Sequence, residues 1–171
     1  LETANIAVNA SLTGHLVFST LHTNDAPGAI TRLIDQGVKP FLVASSVRAI
    51  LAQRLVRKIC PDCKEPYTPR ADEIKSLHLD EGDVRKVQFF RGKGCASCNN
   101  TGFRGRIGIF ELLVIDDEIQ KMIFQKMSST EIRKRARHLG MKTLREDGIL
   151  KVFGGITTIN EVVRVTQGDE D

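Results

Sequence analysis

His15-Leu-Val-Phe-Ser-Thr-Leu21, followed by His22-Thr-Asn-Asp25, is the stretch that sorts this chain into a fold class. Its short, nearly continuous apolar run reads as a strand buried on both faces of a parallel sheet. The composition then turns polar at once. His22 to Asp25 is therefore expected to form the loop at the strand's carboxyl end, with Asn24 or Asp25 capping a helix that runs to about Gly37. Upstream, residues 2–13 read as a helix of modest propensity ending at Gly14. Downstream, Pro40 opens a helix expected to reach Gln53, with Leu42, Val43, Val47, Ile50 and Leu51 on its buried side. Arg54-Leu-Val-Arg-Lys-Ile59 then reads as a short strand, so residues 1–59 are expected to be part of an α/β core.

The strand at residues 54–59 leads into Cys60-Pro-Asp-Cys63, and a second pair follows at Cys95-Ala-Ser-Cys98. Two Cys-x-x-Cys turns supply the four thiolates of a tetrahedral zinc site, and four cysteines leave no open coordination position for catalysis. The 31 residues between Cys63 and Cys95 form a loop that such an ion would close at both ends. Two disulfides of a secreted domain, or a thioredoxin-type redox pair, are the competing readings of the same spacing. Zinc is preferred because all four cysteines fall in the two pairs, and because a chain of 171 residues with 41% hydrophobic content needs no disulfides to complete a core. Lys58, Lys64, Lys93, Arg104 and Arg106 flank the pairs and are placed to offset the charge of four thiolates.

Residues 60–105 are thus read as a metal-stapled insertion, with a weak helix near 71–78 and a strand at 87–91. Ile107 to Val114 reads as a strand returning to the core, within a segment bounded at 106–115. From residue 116 to 171 the pattern is helical, broken into three or four short helices by Gly140 and Gly154-Gly155. Capping boxes are expected at Ser128-x-x-Glu131 and Thr158-x-x-Glu161. The tail Gly168 to Asp171 reads as disordered. The start at Leu1, directly inside the pattern Ile6, Val8, Leu12, is read as a cut within a larger protein.

Composition excludes little but weights the classes. The net charge of +4 arises mainly in residues 1–59, which is too mild a bias to argue for nucleic acid. Aromatics are 5% and tryptophan is absent, so stacking platforms for single strands are scarce. No run of about 18 apolar residues could span a membrane. The basic helix Glu131 to His138 reads as a solvated face balancing neighbouring acids, with contact to nucleic acid or acidic lipid headgroups as the sharper alternative.

In open α/β sheets ligands sit beyond the carboxyl ends of strands. His22 falls there, where a ring nitrogen could donate to an anion such as a terminal phosphate; a loop histidine capping backbone groups is the plainer reading. His15 lies seven residues away and would face the opposite side of a continuous strand. His78 and His138 have no sequence partners and read as surface residues. A phosphate loop of the form Gly-x-x-x-x-Gly-Lys-Ser/Thr is absent, and Gly92-Lys93-Gly94 is no substitute.

Taken together, Leu12 to Asp25, Ala52-Gln-Arg-Leu-Val-Arg57, the two cysteine pairs, Gly102-Phe-Arg-Gly-Arg-Ile-Gly-Ile-Phe-Glu111, Thr143 to Gly148 and Gly155 to Thr158 resemble the ATPases of type II secretion and type IV pilus assembly. The tetracysteine pattern resembles the assembly enzymes rather than the retraction motors, which lack it. The resemblance implies the C-terminal part of a RecA-like ATPase core carrying a zinc insertion and a helical module. It implies a homo-hexamer in the parent protein, ATP and Mg2+ bound largely through upstream residues, and a place in the cytoplasm, peripheral at the inner membrane, against platform and cytoplasmic-domain components. It also places His22 in a histidine box near the γ-phosphate, and Arg54 and Arg57 in a motif of nucleotide-side or subunit-interface contacts. This chain, lacking the phosphate loop, is expected to be inactive alone. The rivals are a zinc-containing nucleic-acid or protein-binding module and a thiol oxidoreductase.

Overall fold

The computed structural model describes residues 2–77, 81–84 and 87–167, and the chain divides into two compact units. The first unit comprises residues 1–52 and 111–143, and the second 53–110 and 144–170. His78 and the tail 168–171 lie outside the described residues.

Unit 1 is built on helices α1 (Glu2–Leu12), α2 (Ala26–Asp35), α3 (Pro40–Ser46), α6 (Asp117–Phe124) and α7 (Ser129–His138). In α2 the apolar residues Ala26, Ala29, Ile30, Leu33 and Ile34 recur at helical spacing and turn one face inward. Ala26, Ile30, Leu33 and Ile34 meet Val43 from α3, Ile119 and Ile123 from α6, and Ile132 and Ala136 from α7 in one core. The predicted box at the start of α7 forms, with Ser128 Oγ accepting from Glu131 N while Glu131 accepts from Ser128 N.

Two sequence expectations fail here. Residues 15–23 form no strand, and Leu16 and Phe18 stand 78% and 89% exposed. A strand exists only if its backbone groups find a ladder, and the described strands pair β1 (Ala49–Ile59) with β4 (Phe103–Val114) and β2 (Lys64–Tyr67) with β3 (Phe89–Gly92), which leaves this run without one. The helix opened by Pro40 stops at Ser46, and strand β1 (Ala49–Ile59) begins where it was expected to continue. Ile50 and Leu51 fit either period, and pairing with the distant β4 (Phe103–Val114) decides for strand. Ile50 consequently packs on the core, whereas Leu51, expected inside, is exposed.

Unit 2 holds β2 (Lys64–Tyr67), α4 (Ala71–Lys75), α5 (Glu81–Val84), β3 (Phe89–Gly92), α8 (Leu144–Phe153) and α9 (Ile159–Thr166), with the adjoining parts of β1 and β4. Strands β2 and β3 are antiparallel, Lys64 opposite Gly92 and Tyr67 opposite Phe89. Leu77, Phe89, Val152, Ile159 and Val162 form its core, where the Phe89 and Phe153 rings meet edge to face.

Candidate metal centre and the His22 loop

Each cysteine pair closes a one-turn 3-10 segment, Pro61–Cys63 and Ala96–Cys98. Proline presets φ in the first turn, and Asn99 and Asn100 take left-handed φ of 51° and 58° to leave the second. Cys60 N donates to Gly102 O at 2.9 Å and Lys93 N to Cys63 O at 3.1 Å, so the two turns are tied together by main chain. All four sulfurs lie within 4.8 Å of one another. The separations Cys60 to Cys95 and Cys63 to Cys98 are 3.9 Å, and Cys95 to Cys98 is 3.7 Å. Sulfurs about 2.3 Å from a tetrahedral ion stand roughly 3.8 Å apart, so the arrangement fits a metal closely. The cysteines are free thiols, and all but Cys95 are buried.

The thiols of this cluster differ in how readily they ionise. Burial pushes the Cys63 thiol up to about 12, aided by the thiols of Cys95, Cys98 and Cys60 and opposed by a main-chain bond from Gly94. At Cys98 burial also disfavours the thiolate. The N–H groups of Cys95 and Gly102, each 3.3 Å from its sulfur, and the Cys95 and Cys63 thiols outweigh it and bring the group down to about 6. The Cys98 thiolate is thus favoured while burial holds Cys60 and Cys63 against ionising, and a bound divalent cation would remove that resistance.

Close main-chain approach makes two glycines necessary here. A Cβ on Gly92 would stand 2.1 Å from Gly102 O, and Gly102 itself has φ +76°. Gly92→Ala is expected to cost about 3 kcal/mol or more, because backbone rather than a flexible side chain must move. A thermal melt of the metal-loaded variant checks this, and an unchanged midpoint would show that the turns have room.

The His22 loop belongs to unit 1. His22 is exposed, and His15 Nδ1 lies 3.0 Å from Thr13 Oγ1. Asp25 caps α2 as expected: its Oδ1 accepts from Gly28 N at 2.6 Å. Sequence reasoning did not find the two partners that complete this corner. Arg133 on α7 donates to Asp25 Oδ2 at 2.5 Å, and the buried carboxylate of Glu111 on β4 accepts from Ala26 N at 2.8 Å. Arg135 on the same basic helix pairs with Glu118, so two of its cations serve carboxylates. His138 is exposed.

Arg54 and Arg57 lie on the portion of β1 in unit 2. Arg54 donates to the carbonyl of Val165 on α9. Arg57 stacks 4.2 Å from the Phe103 ring centroid and donates to Glu161 Oε1 at 2.6 Å, while its main-chain N donates to Oε2 at 3.0 Å. Arg164 adds contacts of 3.0 and 3.1 Å. Glu161 is 1% exposed and held to about 2: burial works against ionisation, and the Arg57 and Arg164 bonds overcome it. The predicted box at Thr158 therefore forms by half. Thr158 Oγ1 accepts from Glu161 N, but the carboxylate goes to the arginines. A cleft of about 410 Å³ beside this group is lined by Arg57, Tyr67, Arg70, Arg91, Phe103 and Asn160 among others.

The fold is similar to that of the pilus retraction motor PilT solved with ADP, with a TM-score of 0.63 and 21% identity over 98% of this chain and 37% of that one. The Legionella pneumophila ATPase DotB gives 0.62 and 20%, over 98% and 36%. Fold and site together define an α/β chain of the pilus-motor ATPase fold that carries a four-cysteine cluster able to hold a metal ion. A family profile described as "Type II/IV secretion system protein" matches residues 1–164, and the chain belongs to that family. It is 52% identical to the type II secretion system protein E of Pseudomonas aeruginosa over 166 residues, which are 97% of this chain and 32% of that protein. It is 50% identical to the type IV pilus assembly ATPase PilB of Thermus thermophilus over 96% of this chain and 19% of that one. The chain thus spans about a third or less of the length of these relatives. Among the described residues no helix is long and apolar enough to cross a membrane.

Proposed function

We propose that this chain is the C-terminal part of a homo-hexameric ATPase that powers protein secretion or pilus assembly from the cytoplasmic side of the inner membrane. The observation that carries the reading is identity of 50% or more, over nearly the whole chain, to both a secretion protein E and a pilus assembly ATPase. ATP and Mg2+ would be held mainly by residues outside this sequence. His22, exposed on a tethered loop, is assigned a donor role where charge develops on the transferred phosphoryl. Cys60, Cys63, Cys95 and Cys98 would hold structural zinc, pinning a lobe that docks on membrane components, with no role for nucleic acid. Glu161 occupies Arg57 with both oxygens, which favours a subunit-interface or structural part for Arg57 over phosphate contact. Arg54 is assigned with it to that edge.

The test is steady-state hydrolysis by the longer protein and by residues 1–171 alone. Only the longer protein should turn over ATP, and His22→Gln should lower its kcat about a hundredfold with little change in KM. An unaltered kcat would remove His22 from the chemistry, and hydrolysis by residues 1–171 alone would overturn the division of the site.

A further inference from the structure

We infer that Arg133 and Glu111 are positioning residues for the His22 loop, forming with Asp25 a latch between that loop, helix α7 and strand β4. This rests on the role proposed for His22. The loop ends at Asp25, three residues beyond His22, and both of its carboxylate oxygens are engaged. Oδ1 takes Gly28 N at 2.6 Å and Oδ2 takes Arg133 at 2.5 Å. The Arg133 and Asp25 side chains are only 13% and 15% exposed, so solvent screens this pair far less than the exposed pairs elsewhere on the chain. Glu111, 3% exposed, reaches the first N–H of α2 from a position 85 residues away in sequence. A carboxylate buried at a helix N-terminus is held by the dipole as well as by its hydrogen bond.

Two further details show that this corner leaves little slack. A Cβ on Gly28 would stand 2.8 Å from Asp25 Oδ1, so a glycine is what lets the carboxylate close on the helix. Thr23 Oγ1 also donates to Asp25 O at 3.1 Å, which folds the loop against its own end. His22 is therefore exposed while the end of its loop, three residues on at Asp25, is anchored. Movement of α7 would be transmitted to it through Arg133 rather than absorbed in the loop. Arg133 touches no reacting atom; it acts through Asp25.

The test is NMR of the metal-loaded full chain. Arg133→Gln should shift the amides of residues 22–26 and the His22 ring resonance, Arg133→Lys should restore part of the shift, and Arg135→Gln on the same helix should move neither. Unshifted amides in Arg133→Gln would overturn the latch. If that variant does not fold, hydrogen exchange in the unaltered chain decides: the Ala26 and Gly28 amides should be protected, and exchange at open-chain rates would overturn it. In the longer ATPase, Arg133→Gln should lower kcat about tenfold at unchanged KM, as expected of a displaced catalytic group. A fall with His22→Gln but none with Arg133→Gln would overturn the latch while leaving the His22 assignment standing. No fall with either would overturn both.

Discussion

Stripping zinc with a chelator from the zinc-loaded protein is expected to release four titratable thiols and to abolish hydrogen-exchange protection around both cysteine turns. Cys60 N to Gly102 O and Lys93 N to Cys63 O join the two turns, Asn100 N to Cys95 O closes the second, and among the described residues the buried cluster around them consists of the cysteines themselves. Structural zinc sites contribute on the order of 10–16 kcal/mol of apparent binding energy in small domains, far more than these few bonds. The effect should be local. The core of α2, α3, α6 and α7 contains no cysteine, and its amides should stay protected. Because protons compete for the sulfurs, metal should be lost as pH falls. Cys63→Ser should reproduce the chelated state. Retained protection and an unmoved melting temperature after complete demetallation would show that the turns stand without the ion.

Replacing Glu161 by Ala should cost about 2–3 kcal/mol, because it takes the carboxylate from two half-exposed guanidinium groups and leaves the main-chain N–H of Arg57 without its acceptor. The pH dependence follows from the depressed carboxyl. In the unfolded chain it ionises near 4.5, whereas in the folded protein it stays ionised down to about 2. Its contribution is therefore complete above about pH 5 and fades as pH falls from there toward 2. At about 1.4 kcal/mol per unit the contribution amounts to roughly 3 kcal/mol, reduced somewhat because Arg57 is half exposed and its attraction is screened. Urea unfolding of the native chain and of Glu161→Gln between pH 6 and 3 checks this. The variant should start less stable and lose stability less steeply. Parallel curves would mean that Glu161 is not the titrating group.

These residues mark where local reading ends. The cysteine tetrad was legible because metal chemistry demands a spacing of two residues between sulfurs and the turns that deliver them are local. Asp25 as the cap of α2 and the Ser128 box were legible for the same reason: donor and acceptor lie within one helical turn. Glu161 was visible only as a cap. Its true partner, Arg57, lies 104 residues away, and nothing in either neighbourhood announces the other. Arg133 looked like one more charge on a basic helix, and Glu111 fell inside the strand expected at 107–114 with no role of its own.

Sequence by itself thus determined the helices with a single apolar face, their caps, the grouping of the four cysteines and the family. Each of these depends on periods or spacings shorter than about a dozen residues, or on motifs quoted whole. Only the tertiary structure decided that the segment after Ser46 is a strand and that residues 15–23 form none. It also decided that each unit is assembled from discontinuous stretches of chain. The physical reason is that a strand has no internal hydrogen bonds. Whether an apolar run becomes one is settled by the distant chain that comes to lie beside it.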